Sequence, residues 1–218
     1  MGSKDYELSY DYNFYWDSCN NISNFASYYQ QLNTINKYKP NNVLEIGVGN
    51  RLVTNQLKNK GIKVTTVDIN PKLNPDYVCD IRHLEVINTH FDLICAFEVL
   101  EHIRFSNFED ALISLKKHSS KYIIISLPIK ATGITFYLNL PKIKPIYYYL
   151  NLPIPLRQKS IQNNTAHFWE IDKVGFEKSK IINILRKHFN ILEHYRLYMN
   201  PRHYMFVLQI KNEKEVIL

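Results

Sequence analysis

The sequence predicts an α/β fold in which a mostly parallel sheet carries helices on both faces. Between Asn42 and Leu127, short apolar segments alternate with segments of helical spacing, which is the pattern of successive strand–helix–strand units. Beyond them, two alternating segments separated by Asn200-Pro201 indicate an antiparallel hairpin. A length of 218 residues with 45% hydrophobic content suits one domain, residues 1–218, with a substantial core.

The chain begins with an aromatic segment that we expect to form an N-terminal helical cap, residues 1–40. Apolar and aromatic residues recur at helical spacing between Ser23 and Tyr38. Lys39-Pro40 then turns the chain into the first strand. The first eighteen residues are polar and Tyr-rich and contain no apolar segment of the kind found in secretory signals. We therefore expect a cytoplasmic protein.

The alternating part of the chain predicts five strands before residue 129 and two after it. The predicted elements are a strand over Asn42–Ile46, a helix over Arg51–Lys60 ended by Gly61, a strand over Ile62–Asp68, a short strand ending at Cys79-Asp80, a strand over Phe91–Phe97, a helix over Phe108–His118, a strand over Tyr122–Leu127, a helix over Lys178–His188, and a hairpin of Ile191–Met199 with His203–Ile210 at the sheet edge.

Residues 129–165 form an insertion after the fifth strand. Four prolines and two lysines interrupt its apolar residues, which rules out a membrane-spanning helix. Three interpretations remain open: a packed, proline-stiffened insertion, a substrate lid above the site, or an interfacial patch that contacts lipid.

Charge and cysteine content give weaker indications. A formal net charge of +7 is compatible with anionic partners such as nucleic acid, phosphorylated substrates or acidic membranes, but lysines spread over solvated faces are the preferred explanation, because no run of five or more like charges occurs. Cys19, Cys79 and Cys95 form no C-x-x-C pair, and the last two fall in apolar strand patterns. We expect those two to be buried thiols in a reducing compartment.

The turn after the first strand predicts a nucleotide-like binding site. Glu45 ends an apolar strand, and Gly47 and Gly49 then lead the chain into a helix. The next strand ends in Asp68, so both carboxylates are expected at the carboxyl edge of the sheet. A dinucleotide fingerprint requires a third glycine where this chain has Leu52, which argues against an NAD oxidoreductase.

With these residues, the segment from Pro40 to Leu127 resembles the class I S-adenosylmethionine (SAM)-dependent methyltransferases. Glu45, Gly47 and Gly49 match the family motif acid-x-Gly-x-Gly-x-Gly, whose last glycine is replaced here by Arg51. The resemblance implies a Rossmann-like three-layer sandwich with a mostly parallel seven-stranded sheet and an antiparallel C-terminal strand. It also implies an enzyme that uses SAM as its cofactor.

The resemblance implies a role for each residue at the first two strand ends. Gly47 and Gly49 would leave space for the methionine part of SAM, and Glu45 would hold its ammonium group. Asp68, followed by Ile69, would accept hydrogen bonds from the ribose hydroxyls.

The following two strand ends complete the expected cofactor site. Asp80 would accept from the adenine amino group, with Ile81 against the ring. Glu98 and Val99, after the fourth strand, would line the cofactor beside the reacting methyl group. His102 follows in the same loop, and a histidine is suited to take a proton from an acceptor.

The loop sequence Glu98-x-x-Glu101-His102 also resembles a metal-binding motif. It occurs in quinone-ring O-methyltransferases and small-RNA 2′-O-methyltransferases, where a divalent ion activates the acceptor oxygen. His167 is the candidate for a further ligand. Because the motif is also common in metal-free members, no metal is included in the predicted site.

The segment after the insertion, His167-Phe168-Trp169-Glu170, supplies the second predicted catalytic histidine. In the resembling family a His-aromatic element at this place returns a side chain to the active site. We therefore predict His102 and His167 as catalytic residues, with Phe168 and Trp169 as core anchors.

The preferred function is SAM-dependent methyl transfer to an oxygen or nitrogen of a small-molecule or glycan-type acceptor. A metal-assisted RNA 2′-O-methyltransferase and a non-catalytic SAM-fold binding protein are the alternatives. Nucleic acid is a possible but less favoured partner, because no RNA-binding module is recognisable. Peripheral membrane contact through residues 129–165 also remains open.

Overall fold

The computed structural model describes residues 8–152 and 167–211. Five α-helices occur there: α1 Tyr12–Cys19, α2 Ile22–Tyr38, α3 Leu52–Asn59, α4 Phe108–His118 and α5 Lys178–His188. The strands are β1 Asn42–Ile46, β2 Lys63–Asp68, β3 Tyr77–Val78, β4 Phe91–Phe97, β5 Ser119–Pro128, β6 Gly133–Leu138, β7 Ile146–Asn151, β8 Phe189–Arg196 and β9 His203–Ile210. Residues 1–7 of the predicted cap and 153–165 of the predicted insertion fall outside these ranges.

The main sheet confirms the predicted fold class. Its seven strands follow the order β3-β2-β1-β4-β5-β9-β8. Strands β1 to β5 pair in parallel, whereas β9 pairs antiparallel with both β5 and β8. The strand order reverses between β1 and β4, and ligands of open α/β sheets bind in the crevice at the carboxyl ends of such strands.

Two apolar layers cover the sheet because neighbouring strand residues point to opposite faces. Leu44 and Ile94 belong to one buried cluster, which includes Phe108 of α4. Val43 and Leu93 belong to the other, which includes Ile35 of α2 and residues of α3. This arrangement gives three layers, with α2 and α3 on one face and α4 and α5 on the other.

Side chains at their starts stabilise the two N-terminal helices. Asp11 accepts a hydrogen bond from Phe14 N at 2.9 Å, and Asn21 accepts one from Asn24 N at 3.0 Å. Such caps satisfy amides that have no partner within the first helical turn. α2 therefore begins one residue before the predicted helix and ends with it at Tyr38.

Several element boundaries differ from the sequence prediction. β3 ends at Val78, so Asp80 lies in the loop beyond it and not at the strand end. β5 is longer than predicted because it begins at Ser119, which pairs with Phe91 of β4, and ends at Pro128, which pairs with His203 of β9. Cys95 is fully buried as expected, whereas Cys79 is only partly buried.

The predicted insertion contains an antiparallel hairpin, β6–β7, that the sequence did not indicate. Its strands pair from Gly133↔Asn151 to Leu138↔Ile146. Prolines at positions 141 and 145 suggested a loop, but both lie in the turn between the strands. Among the described residues, no helix is long and apolar enough to cross a membrane.

Candidate functional site

A cavity of about 610 Å³ opens at the carboxyl edge of the sheet. It lies beyond the ends of β1, β2 and β4, where the predicted site was expected. Every residue of the predicted site lines it: Glu45, Gly47, Gly49, Asp68, Ile69, Asp80, Ile81, Glu98, Val99, His102 and His167. The structure thus brings together residues that are spread over more than half of the chain.

Gly47 makes the turn after β1 possible for two reasons. Its φ of 80° lies in the left-handed region that side chains disfavour. A Cβ at this position would also lie 2.5 Å from Val99 Cγ2, which is closer than atoms pack. The glycine therefore lets the loop after β4 approach the turn, and a larger residue would force the two loops apart.

Glu45 is buried beneath this turn. The Thr54 hydroxyl of α3 donates a hydrogen bond to its carboxylate. Burial raises the pKa of Glu45 to about 7, although the Thr54 hydrogen bond and Arg51 act in the opposite direction. Near neutral pH the carboxyl is therefore partly protonated, and a cationic ligand would draw it into the charged form.

Asp68 joins the two loops that follow β1 and β2. Its carboxylate accepts hydrogen bonds from Val48 N and from Asn70 N, both at 2.9 Å. Burial raises its pKa, and the backbone donors act against that rise. Each oxygen still has a second acceptor position, so the carboxylate can hold a hydroxyl pair while it fixes both loops.

Asp80 has a closer partner than the sequence suggested. Arg82 donates to its two oxygens from Nε at 2.8 Å and from Nη2 at 2.6 Å. Although burial alone would raise the pKa of Asp80, the Arg82 hydrogen bonds lower it. The guanidinium therefore competes with the predicted contact between Asp80 and an adenine amino group.

Arg51 occupies the position where the motif has its last glycine. Its φ of 59° is the left-handed conformation that a glycine would adopt easily, and a non-glycine residue pays about 1–2 kcal/mol for it. The guanidinium donates to Leu73 O at 3.0 and 2.7 Å, and to Asn74 O. At about 1 kcal/mol each, these bonds offset the cost. Arg51 is not one of the residues that line the cavity.

Glu98 contacts residues of β5 and β9. Ser126 Oγ donates to its Oε1 at 2.8 Å, and its Oε2 lies 3.5 Å from His203 Nε2. Its φ of 54° is unfavourable for a glutamate, and strain of this kind is typical of functional loops. Burial raises the pKa of Glu98 to about 8.

His203 is a cavity residue that the sequence analysis missed. It begins β9 and pairs with Pro128 at the end of β5. Burial lowers its pKa to about 4, so the imidazole is neutral at physiological pH. Because β9 is antiparallel to β5, its first residue must lie at the carboxyl edge, and this topological signal was present in the sequence.

A second group of imidazoles and carboxylates lies at the cavity, formed by Glu101, His102, His167 and Glu170. Glu101 is fully buried, and its Oε1 lies 3.9 Å from Nε2 of both His102 and His167. The two imidazole rings are 5.0 Å apart and meet edge to face. Both predicted catalytic histidines therefore face the same carboxylate.

Glu170 orients His167 from the opposite side. Its Oε1 lies 3.3 Å from His167 Nδ1, and its other oxygen binds Lys173 Nζ at 2.7 Å. When a neutral His167 donates its Nδ1 proton to Glu170, the lone pair is at Nε2. That nitrogen is the one that faces Glu101 and His102.

The aromatic residues after His167 have different positions. Trp169 is 2% exposed and donates from Nε1 to Ile103 O at 3.0 Å, which agrees with its predicted role as a core anchor. The same prediction is wrong for Phe168, which is 42% exposed and lines the cavity. Its ring lies beside Arg104 at 5.5 Å.

Of the four residues that the metal-motif resemblance suggested as candidates, the structure brings three together. Ligand-type atoms of Glu101, His102 and His167 all lie within 4.8 Å of one another. Glu98 instead faces Ser126 and His203. Among the described residues, the remaining trio has the donor chemistry of a divalent transition-metal site.

The N-terminal helices supply another wall of the cavity. The lining residues from this part of the chain are Tyr10, Phe14, Tyr15, Asn24, Ser27, Tyr28 and Gln31. Asn70 Nδ2 donates to Tyr10 O at 2.7 Å, which attaches the start of α1 to the loop after β2. By contrast, none of the described residues 129–152 lines the cavity.

Comparison with known proteins gives a family match and a set of similar folds. A protein-family model described as a methyltransferase domain matches residues 20–140. No curated protein sequence matches the chain.

Three solved structures share the fold. The N-methyltransferase NodS from Bradyrhizobium japonicum WM9, in complex with S-adenosylhomocysteine, has a TM-score of 0.65 at 15% identity over 96% of this chain and 97% of that one. Magnesium protoporphyrin IX methyltransferase from Synechocystis PCC 6803, with S-adenosylhomocysteine bound, has a TM-score of 0.64 at 14% identity, over 95% of this chain and 98% of that one. 1,6-Didemethyltoxoflavin-N1-methyltransferase from Burkholderia thailandensis has a TM-score of 0.58 at 14% identity, over 92% of this chain and 85% of that one.

Proposed function

The chain belongs to the methyltransferase-domain family and is a class I SAM-dependent methyltransferase, and from this premise we propose that its acceptor is an oxygen or nitrogen of a small-molecule or glycan-type compound. One observation carries the proposal. A single cavity is lined both by the glycine turn with Glu45, Asp68 and Asp80 and by the predicted catalytic residues His102 and His167. In this proposal the chain is one domain in which the described part of the N-terminal segment, residues 8–40, forms a cap over the site.

The residues of the cavity suit SAM. The space left by the missing side chain of Gly47 admits a close approach of the methionine part, and the partly protonated Glu45 gains charge when it meets the ammonium. Asp68 offers acceptor positions to the ribose hydroxyls, and Ile69 and Ile81 offer apolar contact. Bound SAM supplies an electrophilic methyl group on a sulfonium.

His167 is the residue that we assign to the proton of the acceptor. Glu170 orients the imidazole through Nδ1, so Nε2 is available to accept a proton from a hydroxyl or amine. Glu101 stabilises the resulting positive charge from 3.9 Å, and His102 borders the same space. Placement of the acceptor close to the methyl carbon supplies most of the remaining rate enhancement.

The shape of the cavity favours a small acceptor. Aromatic rings of the N-terminal segment, from Tyr10, Phe14, Tyr15 and Tyr28, line the cavity together with Phe168. Flat or ring-shaped compounds pack well against such side chains. One solved structure of the same fold contains 1,6-didemethyltoxoflavin, a small compound, together with S-adenosylhomocysteine.

Calorimetry and transfer assays test the proposal in two stages. Titration with SAM and with S-adenosylhomocysteine should show micromolar or tighter binding, and absence of binding would overturn the assignment of the cofactor site. Isotope-labelled SAM is then offered with a panel of phenols, amines, sugars and structured RNA. Transfer to a small compound supports the proposal, whereas transfer to RNA alone, or to nothing, refutes the acceptor class.

A metal-assisted form of the reaction is the second candidate, because Glu101, His102 and His167 converge. A divalent ion held by the trio would lower the pKa of an acceptor hydroxyl, and the imidazoles would then be ligands instead of bases. Activity measured with and without a chelator separates the two versions. Full activity in the chelator refutes the metal, whereas loss that Mn²⁺ or Zn²⁺ restores supports it.

A further inference from the structure

The β6–β7 hairpin has one face composed of large apolar side chains. Residues paired directly across the strands share a face, and the pairs Ile134↔Leu150, Phe136↔Tyr148 and Leu138↔Ile146 lie on the same one. We call these six residues the outer face. Their exposures range from 39% for Leu150 to 61% for Tyr148. Large contiguous apolar patches are uncommon on monomeric soluble proteins and often mark interaction sites.

The opposite side of the hairpin attaches it to the body of the protein. The Tyr147 ring stacks on Tyr198 with centroids 4.8 Å apart, and the Arg196 guanidinium lies 4.5 Å from the Tyr149 ring. Tyr198 in turn is held by Gln30 of α2, whose Oε1 accepts from Tyr198 N at 2.9 Å. These contacts fix the orientation of the hairpin and leave the outer face directed away from the body.

Positive charge accompanies the outer face. The sequence contains no Asp or Glu between Asp110 and Glu170. In the turn of the hairpin, Lys142 and Lys144 are exposed, and Leu140 and Ile143 beside them are 44% and 55% exposed. Apolar side chains interspersed with lysines form the pattern that inserts into the headgroup region of an anionic bilayer.

We propose that the outer face and the turn dock onto the surface of an anionic lipid bilayer. The six apolar side chains enter the headgroup region, while Lys142 and Lys144 contact lipid phosphates. A protein partner fits less well, because interfaces between proteins carry about one hydrogen bond per 100–200 Å² and the outer face offers one polar side-chain atom, the Tyr148 hydroxyl. The inference does not rest on methyl transfer, since docking needs neither cofactor nor acceptor.

Co-sedimentation of the full chain with lipid vesicles tests the proposal. The two probes are vesicles of phosphatidylcholine alone and vesicles of phosphatidylcholine mixed with phosphatidylserine. We expect binding at least about tenfold stronger to the mixed vesicles, with weakening as salt is raised. Failure to bind the mixed vesicles, or equal binding to both kinds, overturns the proposal.

Two pairs of matched variants locate the surface. The double substitution Phe136→Ser with Leu138→Ser should abolish vesicle binding, whereas Ile22→Ser with Val174→Ser, which removes exposed apolar residues elsewhere, should not. Lys142→Ala with Lys144→Ala should weaken binding about tenfold. Lys58→Ala with Lys63→Ala removes the same charge at exposed sites outside the hairpin and should have little effect.

Further measurements keep the outcomes distinct. Thermal melting and SAM titration establish that each variant is folded, and the lysine variants still test the proposal if the serine variant does not fold. If the test and control variants lost vesicle binding to the same extent, docking through the hairpin would be refuted. Sedimentation equilibrium tests for a dimer. If the protein is a dimer and Phe136→Ser with Leu138→Ser is a monomer, the outer face binds a second copy of the chain, and this result also overturns the lipid proposal.

Discussion

The two halves of the cavity are built in different ways. The cofactor half consists of Glu45, the glycine turn and Asp68, which follow one another along the chain and lie at the ends of adjacent strands. The acceptor half takes His102, His167 and His203 from three segments that are distant in sequence: the loops that follow β4 and the insertion, and the start of β9. Local strand–turn–helix geometry therefore defines the first half, whereas the second exists only after the whole sheet has assembled.

If the halves are functionally separate, the largest effect should come from His167. The substitution His167→Ala removes the group that accepts the proton of the acceptor, and we expect methyl transfer to fall about 10²–10⁴-fold. SAM affinity should stay unchanged, because the imidazole belongs to the acceptor half. Single-turnover rates and calorimetric affinities measure the two effects.

His83→Ala is the control for this variant, because His83 is exposed and lies outside the cavity. It should leave both quantities unchanged. An unaltered transfer rate for His167→Ala would remove His167 from the mechanism. A large loss of SAM affinity would show instead that the halves are not separate.

Asp68→Ala should have the reverse pattern, with about a hundredfold loss of SAM affinity. The variant loses the acceptor for the ribose hydroxyls and also the bonds from Val48 N and Asn70 N that hold the two loops. The free energy of unfolding should fall by about 1–3 kcal/mol. Calorimetry and denaturant titration measure the two quantities.

Asp76 provides the matched control for Asp68. Its carboxylate accepts from Thr66 N and from the Thr66 hydroxyl, both at 2.8 Å, but it does not line the cavity. Asp76→Ala should therefore lower stability by a similar amount and leave SAM affinity intact. If both variants bind SAM equally well, Asp68 has only a structural role.

The smallest effect concerns pH. Burial raises the pKa of Glu45 from 4.5 to about 7, so the stability that this group gives the ligand-free protein is present below 4.5 and is lost as the pH rises to about 7. Binding of a cationic ammonium favours the ionised form, so binding releases a proton. We expect SAM to bind about tenfold more weakly at pH 6 than at pH 8.

The variant Glu45→Gln isolates the part of the pH dependence of SAM affinity that comes from Glu45. The amide does not titrate, so the slope of affinity against pH over this range should flatten in the variant. A slope that persists in Glu45→Gln would assign the proton to another cavity group, such as Glu98, whose pKa burial raises to about 8.

The contrast between the halves also explains what the sequence could predict. Strands such as Asn42–Ile46 and Phe91–Phe97 were predicted with their observed ends, because apolar runs bounded by turn residues are local signals. Gly47 was identifiable because its conformation is a property of the turn itself.

The missed features depend on contacts between distant segments. The pairing of Asp80 with Arg82 and the rotation of Glu98 towards His203 are side-chain choices that no periodicity encodes. The hairpin β6–β7 was missed for another reason. Tyrosines occupy its inner side, so apolar and aromatic residues follow one another without the polar alternation of a half-buried strand.

The attachment of α1 has a kinetic consequence for ligand exchange. Two side-chain bonds, from Asn70 Nδ2 to Tyr10 O and from Lys72 Nζ to Leu8 O, fasten the chain before α1 to the loop after β2. Tyr15 of the same helix lies against Gly49. Because this segment walls the cavity, we expect these contacts to break and re-form with each exchange of ligand. We expect the cofactor to associate more slowly than diffusion allows. Association should become faster in Asn70→Ala, which lacks the hydrogen bond to Tyr10 O.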